Sequence, residues 1–232
     1  MSIADKLTTI AENVEKVYQA GFDKGGEPIY YIGGFQYAWS SKEYPPNTDF
    51  VIHLKALGNM NAAFQNAINL RSVTLIVDSE NNSVSSWSCF NGCKQLENID
   101  LSRANCKFIA VANFVEGCKV LKSIYGALDF SEVTTSNLNL FRYAESLENI
   151  EFVPNTIGFS FEIWWGGKLS KASIISLING LSDATSELTV TLAKKNIDRE
   201  FETAEGLNDG STSAEWQSLV ATKQNWTISL RE

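Results

Sequence analysis

Side chains able to do acid–base, nucleophilic or metal chemistry are few in this chain and poorly spaced for it. His53 is the single histidine in 232 residues. Acyl-transfer chemistry needs a nucleophile, a base and an orienting acid together. No Ser, Cys or Asp stands at a spacing from His53 that suggests such a relay, so His53 reads as a surface residue of a strand. Cys89 and Cys106 have no partner at zinc-ligand spacing, and one histidine cannot complete a site around them. The run DSENNS sets Asp78, Glu80 and Asn82 at alternate positions, as a calcium loop would. It lacks that loop's glycine at the sixth place and its acid at the twelfth. The expectation is therefore no catalytic residue, no metal and no cofactor.

The elements that carry these residues follow a repeat. Four blocks, FQNAINLRSVTL from Phe64, FNGCKQLENIDL from Phe90, VEGCKVLKSIYG from Val115 and FRYAESLENIEF from Phe141, start 26, 25 and 26 residues apart. Each has a small residue (Ala67, Cys93, Cys118, Ala144), then a leucine (Leu70, Leu96, Leu121, Leu147). A branched residue follows (Val73, Ile99, Ile124, Ile150), then a last anchor (Leu75, Leu101, Gly126, Phe152), which the third copy lacks. A fixed period of this length marks a solenoid, whose units cannot cover their own apolar faces and must stack. Cys93 and Cys118 share the small slot with two alanines and read as packing residues.

Short strands are predicted near residues 72–76, 98–102, 123–127 and 149–153. Alternation across them turns Thr74, Asp100, Tyr125 and Glu151 away from the core, flanked by Ser72, Asn98, Ser123 and Asn149. Asp100 and Glu151 could be considered as a glycosidase pair. They stand roughly 10 Å apart, at about 4.8 Å per rung, with Tyr125 between them. A shallow, solvated face would not raise the pKa of the acid partner, so the chain reads as no enzyme.

The order of aromatic, small residue, leucine and isoleucine resembles leucine-rich repeats, and in particular the BspA-type repeats of bacterial and phage surface proteins. LDFSEVTTSNLNLFRYAESLENIEF carries the likeness best. The opening MSIADKLTTIAENVEKVYQAG and the closing NWTISL are similar to BspA-repeat proteins encoded with tail genes of phages and prophages of Gram-positive bacteria. The resemblance implies an α/β fold, a leucine-rich-repeat solenoid with an N-terminal helix and an α/β C-terminal cap. It also implies a strand face used for binding and a tail-associated protein that recognises a bacterial surface glycan or protein beside other virion proteins. Alternatives are an architectural virion subunit with no ligand of its own, or a cell-surface adhesin whose secretion signal is missing from this sequence.

The flanks complete four expected segments: 1–21, 22–57, 58–163 and 164–232. Ile3, Leu7, Ile10, Val14 and Val17 are spaced four, three, four and three, a coiled-coil seam. It is too short to persist alone, so it reads as a self-association helix or a cap on the first repeat. Residues 22–57 read as an aromatic cap followed by a first strand within DFVIHLKAL from Asp49, pairing with the repeat sheet. After Pro154, Phe159, Phe161 and Ile163 alternate up to Trp164 and Trp165. In an extended segment the two tryptophans point to opposite sides, making one of them a candidate outward contact. Trp87 and Leu138 read as a second apolar anchor on the opposite wall. Helix, strand, helix and strand then follow, each strand expected to extend the same sheet, and the charged run Lys194–Asp209 is expected to be a solvated connection.

The totals exclude further classes. A net charge of −8, with 19 basic against 27 acidic residues and no basic run, leaves no footprint for nucleic acid. No apolar stretch is long enough to span a bilayer. The N-terminus lacks a basic region followed by an apolar core, so synthesis in the cytoplasm is expected, and the resemblance implies display within a virion.

Overall fold

The computed structural model describes residues 36–54, 58–79, 82–134, 139–201 and 209–232. The heptad-spaced segment and the aromatics Tyr30, Tyr31 and Phe35 lie outside the described residues, as does Leu138.

Strand alternation does what it predicts. In β1 (Glu43–Leu54), Phe50, Ile52 and Leu54 point inward with no exposure while Val51 and His53 point outward. This strand pairs in parallel with β2 (Ile68–Val77). After β3 (Asn82–Ser85), β4 (Asn98–Arg103) joins β2 in parallel, and after β5 (Cys106–Ala110), β6 (Ser123–Tyr125) joins β4. The sheet order β1-β2-β4-β6 follows the chain, one strand per coil, which is a parallel β-solenoid of about six turns. A second wall is built from β3 and β5, continued by single bridges from Lys107 to Asp129 and from Leu128 to Phe152.

The third wall is made of turns. Five successive coils each place two residues in the left-handed region four positions apart: Tyr37 and Ser41, Ala62 and Asn66, Ser88 and Gly92, Asn113 and Gly117, Asn139 and Tyr143. Alternate amides then point along the solenoid axis. Those of Ala62, Phe64 and Asn66 donate to the carbonyls of Trp87, Cys89 and Asn91 in the next coil. The intervening amides of Ala63, Gln65 and Ala67 donate back three residues within the turn. Every backbone donor of the stretch is thereby satisfied without a helix.

The four repeat leucines form one inner row, each fully buried, beside the register-matched Val73, Ile99 and Ile124. Aromatic rings stack along the axis, Trp39 on Phe64 at 4.8 Å and Phe64 on Phe90 at 5.2 Å, so Trp39 occupies the aromatic slot one coil before the first sequence block. The small slot holds cysteine twice because Cys93 Sγ donates to Phe64 O at 2.9 Å and Cys118 Sγ to Phe90 O at 3.0 Å. Gly126 replaces an apolar anchor for a backbone reason. Its φ is +92°, and a Cβ there would stand 2.7 Å from Ser102 N.

The sheet is closed by a helix. Short pairing at Ser123 and Asn149 is followed by β7 (Phe161–Glu162) and then α1 (Lys171–Gly180), N-capped by Ser170. Ser173 Oγ accepts from Ile150 N and Ser176 Oγ from Phe152 N, both at 2.9 Å, so two serines cover the amides a further strand would have taken. This corrects the expectation that the C-terminal strands extend the same sheet. With α1 in the next place, β7, β8 (Leu188–Ala193) and β9 (Trp226–Arg231) form a separate three-stranded parallel sheet. The stretch expected as a solvated connection instead opens with α2 (Lys194–Glu200), which buries Asn196 and Ile197 and leads to the buried Phe201. Asn196 Nδ2 donates to Gly166 O at 2.6 Å, fixing the helix to the turn after β7. A last helix, α3 (Ala214–Val220), precedes Lys223, whose ammonium donates to Leu181 O at 2.6 Å and Asn179 O at 3.3 Å at the C-terminal end of α1. Burial lowers the pKa of that ammonium.

Two glycines with similar φ separate strain from contact. Gly117 has φ +78° but 3.6 Å of room for a Cβ. Gly117→Ala should cost about 1 kcal/mol, and Gly126→Ala, which also forces two backbones apart, about 3 kcal/mol, read as shifts in the urea midpoint. Equal shifts would contradict the close approach at Gly126.

Candidate binding faces

The strand wall brings the predicted ribbon together. Thr74 pairs with Asp100, Asp100 pairs with Tyr125, and Glu151 follows two residues after Asn149, which bridges to Ser123. Thr74 and Asp100 are half-buried and Glu151 is exposed. Tyr125 presents half its surface. Asp100 Oδ1 accepts from Ser102 N at 3.0 Å and Ser102 Oγ at 2.6 Å, which folds its carboxylate back onto the strand end.

Beside the ribbon runs a row of alternating charge with one residue per coil, invisible to any local reading: Asp49, Arg71, Glu97, Lys122 and Glu148. Arg71 Nε donates to Asp49 at 2.9 Å and Lys122 Nζ to Glu97 at 2.8 Å. The Arg71 hydrogen bond, with help from Ser72, holds the Asp49 carboxyl below its ordinary range, and Glu97 raises Lys122. A lowered carboxyl favours the fold above its unfolded pKa, and that contribution fades as pH falls through the folded value. Exposure of these groups keeps each pair's share small.

His53 meets an acid after all. Its Nε2 lies 2.7 Å from Asp78 Oδ1, 25 residues away and one coil on. The pair sits at the exposed ends of adjacent strands, with His53 facing outward like Val51.

Trp164 and Trp165 do not diverge. They occupy a turn rather than an extended segment and stack on each other at 3.8 Å with planes 29° apart, both half-buried. Tyr143 packs on Trp165 at 4.5 Å, the Arg231 guanidinium covers Trp164 at 4.0 Å, and Trp164 Nε1 donates to Glu162 at 2.9 Å. Their faces are occupied within the chain, and Tyr143 places them on the turn wall rather than beside Tyr125. Trp87, expected in the core, is 44% exposed. Its neighbours Ser86, Ser88 and Cys89 take the inward positions, and the left-handed backbone at Ser88 turns the indole out.

All four cysteines are free and buried. Burial raises the Cys89 and Cys118 thiols and pushes Cys106 up to about 12. Among the described residues no group of His, Cys, Asp and Glu could hold a metal ion, and no helix is long and apolar enough to cross a membrane. The chain matches no family model, no curated protein and no solved structure.

Thiols in this state should not react. A dithiobis(nitrobenzoate) reagent at mildly alkaline pH is expected to label none of the four in the native protein and all four in guanidinium. Rapid native labelling of Cys93 or Cys118 would contradict their place in the inner row.

Proposed function

We propose that the chain is a BspA-like leucine-rich-repeat protein that binds without catalysis. In this reading it is a phage or prophage tail-associated subunit that presents its strand wall to a bacterial surface glycan or protein. The observation that carries the reading is the register-matched row Thr74, Asp100 and Tyr125 on a backbone braced by neighbouring coils, with Tyr125 half-exposed at its end. A rigid aromatic supplies contact area at low entropic cost. The adjacent charges are largely neutralised by one another, so apolar and hydrogen-bonding contacts dominate recognition. Non-enzymatic action fits the same geometry. Asp100 is engaged by Ser102, and Tyr125 stands between it and Glu151.

The affinity of one face is modest in this account and is multiplied if residues 1–20 gather several copies. The seam Ile3, Leu7, Ile10, Val14 and Val17 is proposed to do so. Light scattering should give an oligomer for the full chain and a monomer for a chain lacking residues 1–20. A monomer in both cases removes the multivalent mechanism.

Retention of the labelled protein on Gram-positive cells and on purified cell-wall sugars tests the face itself. Tyr125→Ala should lower retention about tenfold or more, the loss expected of a dominant aromatic contact. Replacing Trp164 or Trp165 by alanine tests the turn wall in the same assay. Retention lost in the tryptophan variants and kept in Tyr125→Ala would move the site to the turn wall. Retention by neither sugars nor cells would favour an architectural subunit.

A further inference from the structure

The corner between the first and second walls shortens coil by coil. Between the position of Asp100 and that of Lys107 the third coil uses residues 101–106. The fourth uses 126–128 between Tyr125 and Asp129, and the fifth uses Phe152 between Glu151 and Val153. The longer third coil therefore overhangs the shorter ones and leaves a cleft of about 410 Å³, near the lower end of the roughly 300–1,000 Å³ typical of small-ligand sites. Gly126 forms its base, where the two coils meet backbone to backbone.

We propose that this cleft is a separate ligand site for a carboxylate-bearing monosaccharide. Its charged lining is Arg103, Lys107 and Asp129, two cations to one anion in a chain whose net charge is −8. Arg103 is exposed, and its guanidinium makes no ion pair or side-chain hydrogen bond among the described residues. Such a planar fork suits bidentate binding of a carboxylate. Lys107 Nζ is 3.9 Å from Glu132, too long to saturate it. Asp129 Oδ1 accepts from Ser131 N at 2.9 Å, leaving Oδ2 to accept from a sugar hydroxyl. Among the lining residues Ala127 is exposed and can meet the C–H face of a ring, while Leu101, Phe108 and Leu128 are buried. Asp129 makes a bare phosphate dianion a poorer fit than a monoanion carrying hydroxyl donors. The site does not depend on the strand-wall reading, since it involves none of Thr74, Asp100, Tyr125 or Glu151.

Amide spectra of the full chain titrated with D-galacturonate, D-glucuronate, D-galactose and inorganic phosphate test it. At least one uronate should shift the Gly126 and Ala127 amides at millimolar concentration, with galactose and phosphate about tenfold weaker or more. Arg103→Gln should weaken the uronate about tenfold while leaving the melting temperature unchanged, because the guanidinium makes no ion pair or side-chain hydrogen bond among the described residues. Failure of both uronates to move those amides, equal binding of galactose or phosphate, or unchanged binding by Arg103→Gln would overturn the proposal.

Discussion

Every coil of this protein has to satisfy the backbone of the next, and the turn wall is where that requirement is most demanding. A β-wall meets it through ordinary parallel pairing. A turn wall can meet it only if alternate amides point along the axis, and that needs a left-handed residue at each end of the turn. Such residues cost about 1–2 kcal/mol each when they carry a Cβ, less for Asn and nothing for Gly. Three hydrogen bonds to the next coil, as from Ala62, Phe64 and Asn66, return about 1 kcal/mol apiece. The turn is therefore near balance by itself. The fully buried leucine row and the stacked rings, a hydrophobic contribution of about 2 kcal/mol per large side chain, tip it toward order.

Surface chemistry inherits the same spacing. Because equivalent positions stack, single residues become rows: the ribbon through Asp100 and Tyr125, and the alternating charges from Asp49 to Glu148. Regularity makes such surfaces flat, and concavity comes from departures. The short fourth coil, permitted by Gly126, is the clearest one, and it opens the cleft under Arg103. The helix α1 is another departure. It ends the main sheet with serine hydroxyls in place of backbone and turns the C-terminal strands onto a sheet of their own.

Much of the inner row was legible in the sequence. Leucines, branched residues and small residues recur at fixed slots, and the strand from Phe50 to Leu54 shows its alternation directly. The turn wall left a signal too, in the residue before each small slot: Asn66, Gly92 and Gly117 are types that adopt positive φ readily, although Tyr143 in the fourth copy is not. What could not be read were contacts across a coil. His53 and Asp78, Arg71 and Asp49, and Tyr143 and Trp165 are 25, 22 and 22 residues apart, beyond any local window. Trp87 misled because its place three residues before an aromatic points to an inner anchor, whereas backbone handedness at Ser88 decides the direction. The tryptophan pair misled because an alternating run was extended through a turn.

Native-state hydrogen exchange at the turn wall tests the stacked-coil account most directly. The amides of Phe64, Asn66, Phe90 and Gly92, each donating to the following coil, should be as strongly protected as strand amides such as Val73 and Ile99. Exchange of those four at the rate of an open surface loop, with the strands still protected, would contradict it.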